Sequence, residues 1–501
     1  MLSLGKNSRR HRVTLRHVGS AVSLAAALVS TAAYADLTIS TGASKNIVCT
    51  SGVCTPTKMN ANLNVTQLQT LLASGNVKVT TVSPKVNFIV INAELSWASS
   101  YALTIDSYES IKVNNSVAVD GTGGLSLVTN DGGAGGILSF GPNGDATFLS
   151  TANNLTINGN AYTLVNNIET LASDIAADAG GYYALASSYN ATPDGTYERS
   201  PVQTTFSGVF EGLGNTITHL MIVSEENASY AQLGLFSVLT GTIENLRLSA
   251  VSNTGGPDST SGGLVATNYG TLFDDSVVGT IAGVKGGSSL ILGGLVGVNL
   301  GSITRCYTEG SVTNGPLVGG LVGQNGGAGP AVAGTIIGSY STSSVKATGH
   351  ASAGGLVGYD FLGTISNSYA LGSVTAKSMS VLGGLIGFAG YSEPGIEPNV
   401  NSSYAAGKVT DYRDRSWAGG LIGSVGAGGS VIANTYWDTT TSGITNPSQG
   451  VGSISNESGI TGLSTTQLQA GLPIGFSSSI WAESSSINGG LPYLVALPPP
   501  A

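Results

Sequence analysis

The chain has 501 residues, of which 73 are glycine, 9% are charged and 41% are apolar, with a formal net charge of −9. That is too little charge and too much hydrophobic surface for a disordered polymer. The acidic balance disfavours nucleic acid and anionic membrane surfaces as partners, because both repel a negatively charged protein.

The chain opens with a basic stretch (Lys6, Arg9, Arg10, Arg12, Arg16), a weakly apolar run from Val18 to Ala32, and Ala33-Tyr34-Ala35. This pattern predicts a signal peptide cleaved between Ala35 and Asp36. The apolar run is too short and too interrupted to make a good membrane span. Ser8-Arg9-Arg10 hints at a twin-arginine signal, but no Phe-Leu-Lys follows. Cleavage leaves 14 basic against 28 acidic residues, a net of −14. Export places Cys49 and Cys54 in oxidising surroundings, and Ser51-Gly52 between them reads as a turn, so a disulfide across a hairpin is the favoured expectation. A metal pair is the alternative, although no His or further Cys lies close by.

Three short stretches have helical spacing: Asn64 to Ser74, Asn167 to Ala177 and Leu463 to Ala470. The first is expected to shield the open N-terminal end of a stack. From Leu233 onward the sequence repeats. Gly-Gly-Leu recurs at Gly262, Gly293, Gly319, Gly354, Gly383 and Gly419, each followed by a second phrase such as GSITRCY, GTIIGSY or GTISNSY. One column of the second phrase is always aliphatic: Ile243, Leu272, Ile303, Ile336, Ile365, Val400 and Ile432. Two residues on stands Asn245, Asp274, Arg305, Gly338, Asn367, Ser402 or Asn434. Strict alternation would put these beside the aliphatic column, yet most are turn formers, so a corner is expected there. A mostly small column follows (Leu246, Asp275, Cys306, Ser339, Ser368, Ser403, Thr435). Next comes one in which Tyr307, Tyr340, Tyr369, Tyr404 and Tyr436 recur.

Apolar runs of four to six residues are too short for helices, and no single unit can bury its own apolar face. Stacked units can, and they pair every backbone edge with a neighbour. The expected fold is all-β, a parallel β-helix solenoid with a few short capping helices. At about 4.8 Å per coil, one continuous stack would run on the order of 70–90 Å. Five segments are expected: the signal peptide at 1–35, irregular coils at 36–165, a short helix and lead-in coils at 166–232, the repeat solenoid at 233–443, and a cap with a disordered tail at 444–501.

The paired phrases, GGLVG with an N–G–I–SY–G–V continuation, resemble the GLUG repeat of bacterial exported proteins. These include filamentous-haemagglutinin-like adhesins and some IgA-protease-type surface proteins. FSGVFEGLGNTITHLMI, from Phe206 to Ile222, resembles the lead-in to such repeats. The resemblance implies a right-handed β-helix, an extracellular or cell-surface location, and attachment rather than catalysis. Gly141-Pro142-Asn143-Gly144 is only partly similar to the NPNG-type turn of secretion domains, since Asp145 stands where an apolar residue belongs.

Candidate chemistry is sparse. The glycine phrases open strands and lack the lysine of a phosphate loop. Asn130 to Gly136 resembles a calcium nonapeptide, but Ile137 replaces the aspartate. The best carboxylate clusters are Asp411-Tyr412-Arg413-Asp414-Arg415 and Asp274-Asp275, the first expected in a solvated loop. His219 and His350 lie in no nucleophile or metal motif. Cys306 reads as a small space-filler and Arg305 as a solvent-facing corner cation. The tyrosine column is a structural ladder if it faces in, and a stripe for sugars or a protein partner if it faces out. No catalytic, cofactor or metal residue is assigned. The expected function is a non-catalytic secreted or surface adhesin binding a host or neighbouring-cell glycan or protein receptor. The alternatives are a carbohydrate-active β-helix enzyme and a biofilm-matrix component.

Overall fold

A computed structural model describes residues 36–81, 86–224, 230–284, 287, 289–327, 333–377, 379–390, 398–411, 417–426 and 431–499. Ala35 and the residues before it, residues 328–332 and 391–397, and residues 412–415 of the acidic-basic cluster lie outside the described residues.

The described chain is a parallel β-solenoid with three α-helices. Its strands are short, and nearly all pair in parallel with the strand one coil away. The aliphatic column stacks in register, Ile243 on Leu272, Leu272 on Ile303, and so on to Ile432. Phe210 and Tyr183 extend that column upstream, so the lead-in segment is itself built of coils of the same type. Leu292, Leu295 and Val296 and their equivalents fill the same interior from two further faces.

The corner is a backbone feature. All seven residues of the corner column have positive φ, from 47° at Ser402 to 58° at Gly338. Asn, Asp and Gly enter this left-handed region at little cost; Arg305 is held there by its neighbours. The turn breaks alternation, so Ile303 and Cys306 both point into the core.

The solenoid is not one continuous stack. Asn154–Ile157 and Asn160–Val165 pair antiparallel across Asn158-Gly159, whose φ angles are 49° and 81°. Two adjacent left-handed residues make the turn whose twist suits a two-residue hairpin, and Asn-Gly is its usual sequence. The chain therefore reverses direction while one 16-stranded sheet continues through the reversal. Two cores result. On Asn160–Val165 and Tyr182–Leu185, Tyr162, Leu164 and Ala184 face the first core, whereas Val165, Tyr183 and Leu185 face the second. The expected boundary at 165 thus moves to the hairpin, and the strands just after it serve both units.

Each unit has its own helix. α1 (Val65–Leu72) is capped by Asn64, which accepts from the Gln67 amide, and buries Val65, Leu68 and Leu72. It lies beside Leu95–Trp97, the last strand of its sheet, so it covers the end of the first stack. α2 (Ile168–Ala177), capped by Asn167, buries Ile168, Leu171 and Ile175 in the second core. The third helix, α3 (Thr465–Leu468), opens with a Ser464–Gln467 capping box.

The C-terminal segment departs from the expected disordered tail. After α3 it runs back along the outside of the second unit as an ordered strap, described to residue 499.

Candidate functional site

The small column after the corner repairs what the corner breaks. A left-handed residue removes one strand-to-strand hydrogen bond, and a buried amide cannot go unpaired cheaply. The Cys306 amide donates to Ser339 Oγ at 3.1 Å, the Ser339 amide to Ser368 Oγ at 3.3 Å, and the Ser368 amide to Ser403 Oγ at 3.1 Å. Asp275 does the same for the Leu246 amide at 2.9 Å. Cys306 takes its turn in this chain: its sulfur receives the Asp275 amide and donates to the Thr304 carbonyl. Burial pushes the thiol well above its ordinary range, with the Asp275 carboxylate adding to the effect.

The tyrosine column faces out of the solenoid, yet the strap buries it. Tyr340, Tyr369, Tyr404 and Tyr436 form a cluster separate from the main core, together with Leu468, Phe476, Trp481 and Leu494 of the C-terminal segment. Trp481 lies against Tyr369 and Tyr404, and Phe476 against Tyr404 and Tyr436. Tyr436 Oη donates to the Ile474 carbonyl and Tyr404 Oη to the Pro492 carbonyl, each at 2.7 Å. Trp481 Nε1 reaches Asn367 Oδ1 at 3.3 Å. Tyr307, at the far end, is half-buried.

This geometry excludes the column as an open sugar stripe. The rings of Tyr307, Tyr340, Tyr369 and Tyr404 stack at 4.7–5.2 Å with planes within 10° of parallel. Tyr340 and Tyr369 have a tyrosine against each face, and their outward edges lie beneath the strap. Sugar stacking requires a free ring face. The burial of these outward-facing rings was not legible in the repeat itself, because it depends on a segment far along the chain.

Arg305 is not the solvent-facing cation expected. Its Nε lies 2.7 Å from Asp274 Oδ1, its guanidinium sits 5.1 Å from the Phe273 ring centre, and its Nη2 donates to the Ala496 carbonyl at 3.2 Å. It joins the strap to the repeat coil that carries Asp274. Burial raises Asp274 to about 6 even though Arg305 pulls it back. Asp275 is fully buried and accepts two backbone amides, those of Leu246 and Phe273. The Asp274-Asp275 pair thus has structural partners for both carboxylates.

The remaining candidates resolve individually. The sulfurs of Cys49 and Cys54 are bonded across the hairpin of Ile47–Thr50 and Val53–Pro56, where the two residues sit opposite one another. Asn130 closes the Asn130 to Gly136 loop by bonding both the amide and the carbonyl of Gly136 with its own amide group. The Gly141 to Gly144 turn docks on the second unit, where Arg247 Nη2 donates to the Gly141 carbonyl at 2.6 Å. Among the described residues, no group of three or more His, Cys, Asp or Glu side chains is placed to hold a metal ion. No described helix is long and apolar enough to cross a membrane.

No protein-family model matches the chain. A local likeness links it to Halomucin of Haloquadratum walsbyi, 32% identical over 164 residues, which is 32% of this chain and 2% of that protein. Among solved structures it is similar to a candidate immunoglobulin A1 protease from Bacteroides ovatus, at 18% identity and a TM-score of 0.41. That match covers 67% of this chain and 92% of the other. It is also similar to an IgA1 protease at 23% identity and a TM-score of 0.39, covering 53% of this chain and 20% of that one. The chain thus spans a small fraction of Halomucin and about a fifth of the latter protein.

Proposed function

We propose that the protein is an exported, non-catalytic surface or secreted protein that attaches to cells, matrix or glycans through the outside of its solenoid. One observation carries this reading. The second unit holds its outward side chains in register over successive coils, so that outward columns run along the stack. A repeating surface suits a repeating or extended partner better than a small substrate. The Halomucin likeness is consistent with a surface or secreted protein, and the GLUG-like phrases point the same way. In the second unit, Asp274 is engaged with Arg305, Asp275 with the backbone amides of Leu246 and Phe273, and Glu211 with the Leu213 amide and Asn245.

Cell fractionation and an attachment assay test this directly. The protein is expected at the outer surface or in the medium, and the purified mature chain is expected to bind cells, matrix or a glycan array. Retention in the cytoplasm, or a folded chain that binds none of these, would overturn the reading. Release of reducing ends from a polysaccharide panel would replace it with the enzyme alternative.

A further inference from the structure

The sheet shared by the two units carries one column along the seam between them. Leu164, Ala184, Glu211 and Glu244 lie in register on four successive strands. Their neighbours Phe210 and Ile243 point into the second core, so this column points the other way, toward the first unit. Leu164 and Ala184 belong to the first core. The next two positions of the column are carboxylic acids. Glu211 is fully buried, and its carboxyl is hydrogen-bonded to that of Glu244. Two carboxyls in such contact need a proton between them, because like charges so close cannot both ionise.

The corner after Glu211 plugs into the first unit. Glu211 Oε1 accepts the Leu213 amide at 2.8 Å, and Oε2 accepts from Asn245 Nδ2 at 3.2 Å. Leu213 has a φ of 54° and buries its side chain in the first core, although its strand belongs to the second unit. Its carbonyl accepts the Ala146 amide, and Asn215 Nδ2 donates to the Ala146 carbonyl at 2.8 Å. Gly214 fits because it has no Cβ, which would lie 2.5 Å from the Gly144 carbonyl oxygen and 2.8 Å from Phe140 Cβ. The Glu211 carboxyl therefore sets the corner, and the corner holds Leu138–Phe140 and Ala146–Phe148, the last strands of two sheets of the first unit. The charges that bear on the pair are acidic: Asp275 on Glu211 and Asp274 on Glu244, with the Tyr162 phenol beside both. Lys112, Arg247 and Arg305 act on Asp274, and Asp145 of the first unit acts on Arg247.

We propose that Glu211 and Glu244 form a proton-operated latch between the two units: with a proton between them the corner from Gly212 to Asn215 stays plugged into the first unit, and without it the carboxylates repel each other and the corner withdraws. Burial raises both acids, Glu244 to about 7. The closed latch thus keeps protons that a solvated, open pair gives up in the ordinary carboxylate range, and opening releases them. The latch is tightest below that range, loosens as pH rises, and has lost the Glu244 contribution once pH passes about 7. The seam pivots on the Asn158-Gly159 hairpin, where the chain crosses from one unit to the other.

The test is amide hydrogen exchange of the full chain at pH 5 and pH 8, each corrected for the intrinsic exchange rate. The Leu213 and Ala146 amides should lose protection by about a hundredfold, since one proton released on opening is worth tenfold per pH unit up to about 7. Amides bonded within one unit, Leu295 to the Leu321 carbonyl and Ile89 to the Ser110 carbonyl, should keep theirs. The double variant Glu211→Gln, Glu244→Gln makes the contact without a shared proton, and Asn245 Oδ1, which has no partner, can accept from the new amide. It should hold the seam at both pH values. Glu244→Gln alone leaves one ionisable group and should show a smaller loss than the wild type, which keeps the test open should the double variant fail to fold. Asp360→Asn, which removes a buried acid far from the seam, should leave the seam response unchanged. Circular dichroism at pH 5 identifies the variants that have folded. Equal seam protection at the two pH values in the wild type would overturn the inference. So would a full loss that persists in the folded glutamine variants, or a loss shared equally by Leu295 and Ile89, which is global unfolding.

Discussion

At the scale of single residues, backbone requirements explain more than side-chain chemistry does. Cys306 shows this. It is fully buried and sits in a hydrogen-bonded chain that Asp275 begins and Ser339, Ser368 and Ser403 continue. Cys306→Ser is expected to fold as the wild type does, because a hydroxyl accepts the same amide. Cys306→Val should cost roughly 1–3 kcal/mol, the price of leaving the Asp275 amide unpaired. Denaturant melts distinguish the two, and a thiol reagent should label the native wild type only after unfolding. The corner column makes a second prediction. Gly338 has a φ of 58°, and a Cβ there would meet nothing closer than Arg305 Cγ at 3.9 Å. Space is therefore not limiting and only the dihedral matters. Gly338→Asn should be nearly neutral, whereas Gly338→Val should destabilise by about 1–2 kcal/mol.

At the scale of elements, the strap behaves as a clasp. It spans the coils from Tyr436 to Arg305 and contributes Phe476, Trp481 and Leu494 to a core that the coils alone would leave open. Trp481 is fully buried, stacks on Phe476 and touches two tyrosines. Trp481→Ala should therefore destabilise by roughly 3–5 kcal/mol. Removal of residues 464–501 should lower the thermal midpoint and make the chain bind a hydrophobic dye, because it uncovers the tyrosine edges and the outer apolar surface beside them. A truncated chain with an unchanged midpoint and no dye binding would show that the strap is incidental to stability.

At the scale of the whole molecule, the two units meet around buried acids. Glu211 and Glu244 lie in register on adjacent coils and share a hydrogen bond, near Tyr162 of the first strand after the hairpin. Burial raises Glu244 to about 7, and Glu211 is raised for the same reason. Deep in the second unit, Asp360 ends a ladder of buried amides that runs from Asn268 through Asn299 and Asn325, and burial raises it to about 7. A carboxyl raised in the folded state binds its proton more tightly there than in the unfolded chain. Its contribution to stability is full at acid pH and is lost as pH climbs toward 7. The thermal midpoint should therefore be higher near pH 5 than at pH 7.5. Asp360→Asn should reduce that difference, because an amide keeps the acceptor for Gly363 and has no proton to lose. A midpoint that rises between pH 5 and 7.5 would contradict this account.

The sequence by itself determined the repeat, the stacking of its aliphatic column and the corner that follows it. Each depends on local rules, namely alternation, the left-handed tolerance of Asn and Gly, and the inability of one coil to bury its own face. The reversal at Asn158-Gly159 was also written locally, as the strongest short hairpin signal, but it is easily passed over inside a chain so rich in Gly and Asn. Only the tertiary structure decided what covers each outward face. Tyr404 and Trp481 are neighbours because a segment 77 residues farther along the chain folds back over the coils. Arg305 is held against the coils rather than free in solvent because Asp274 and the Ala496 carbonyl converge on it from two directions. Period and propensity fix which way a side chain points; whether that direction ends in water or beneath another segment depends on contacts between residues far apart in sequence.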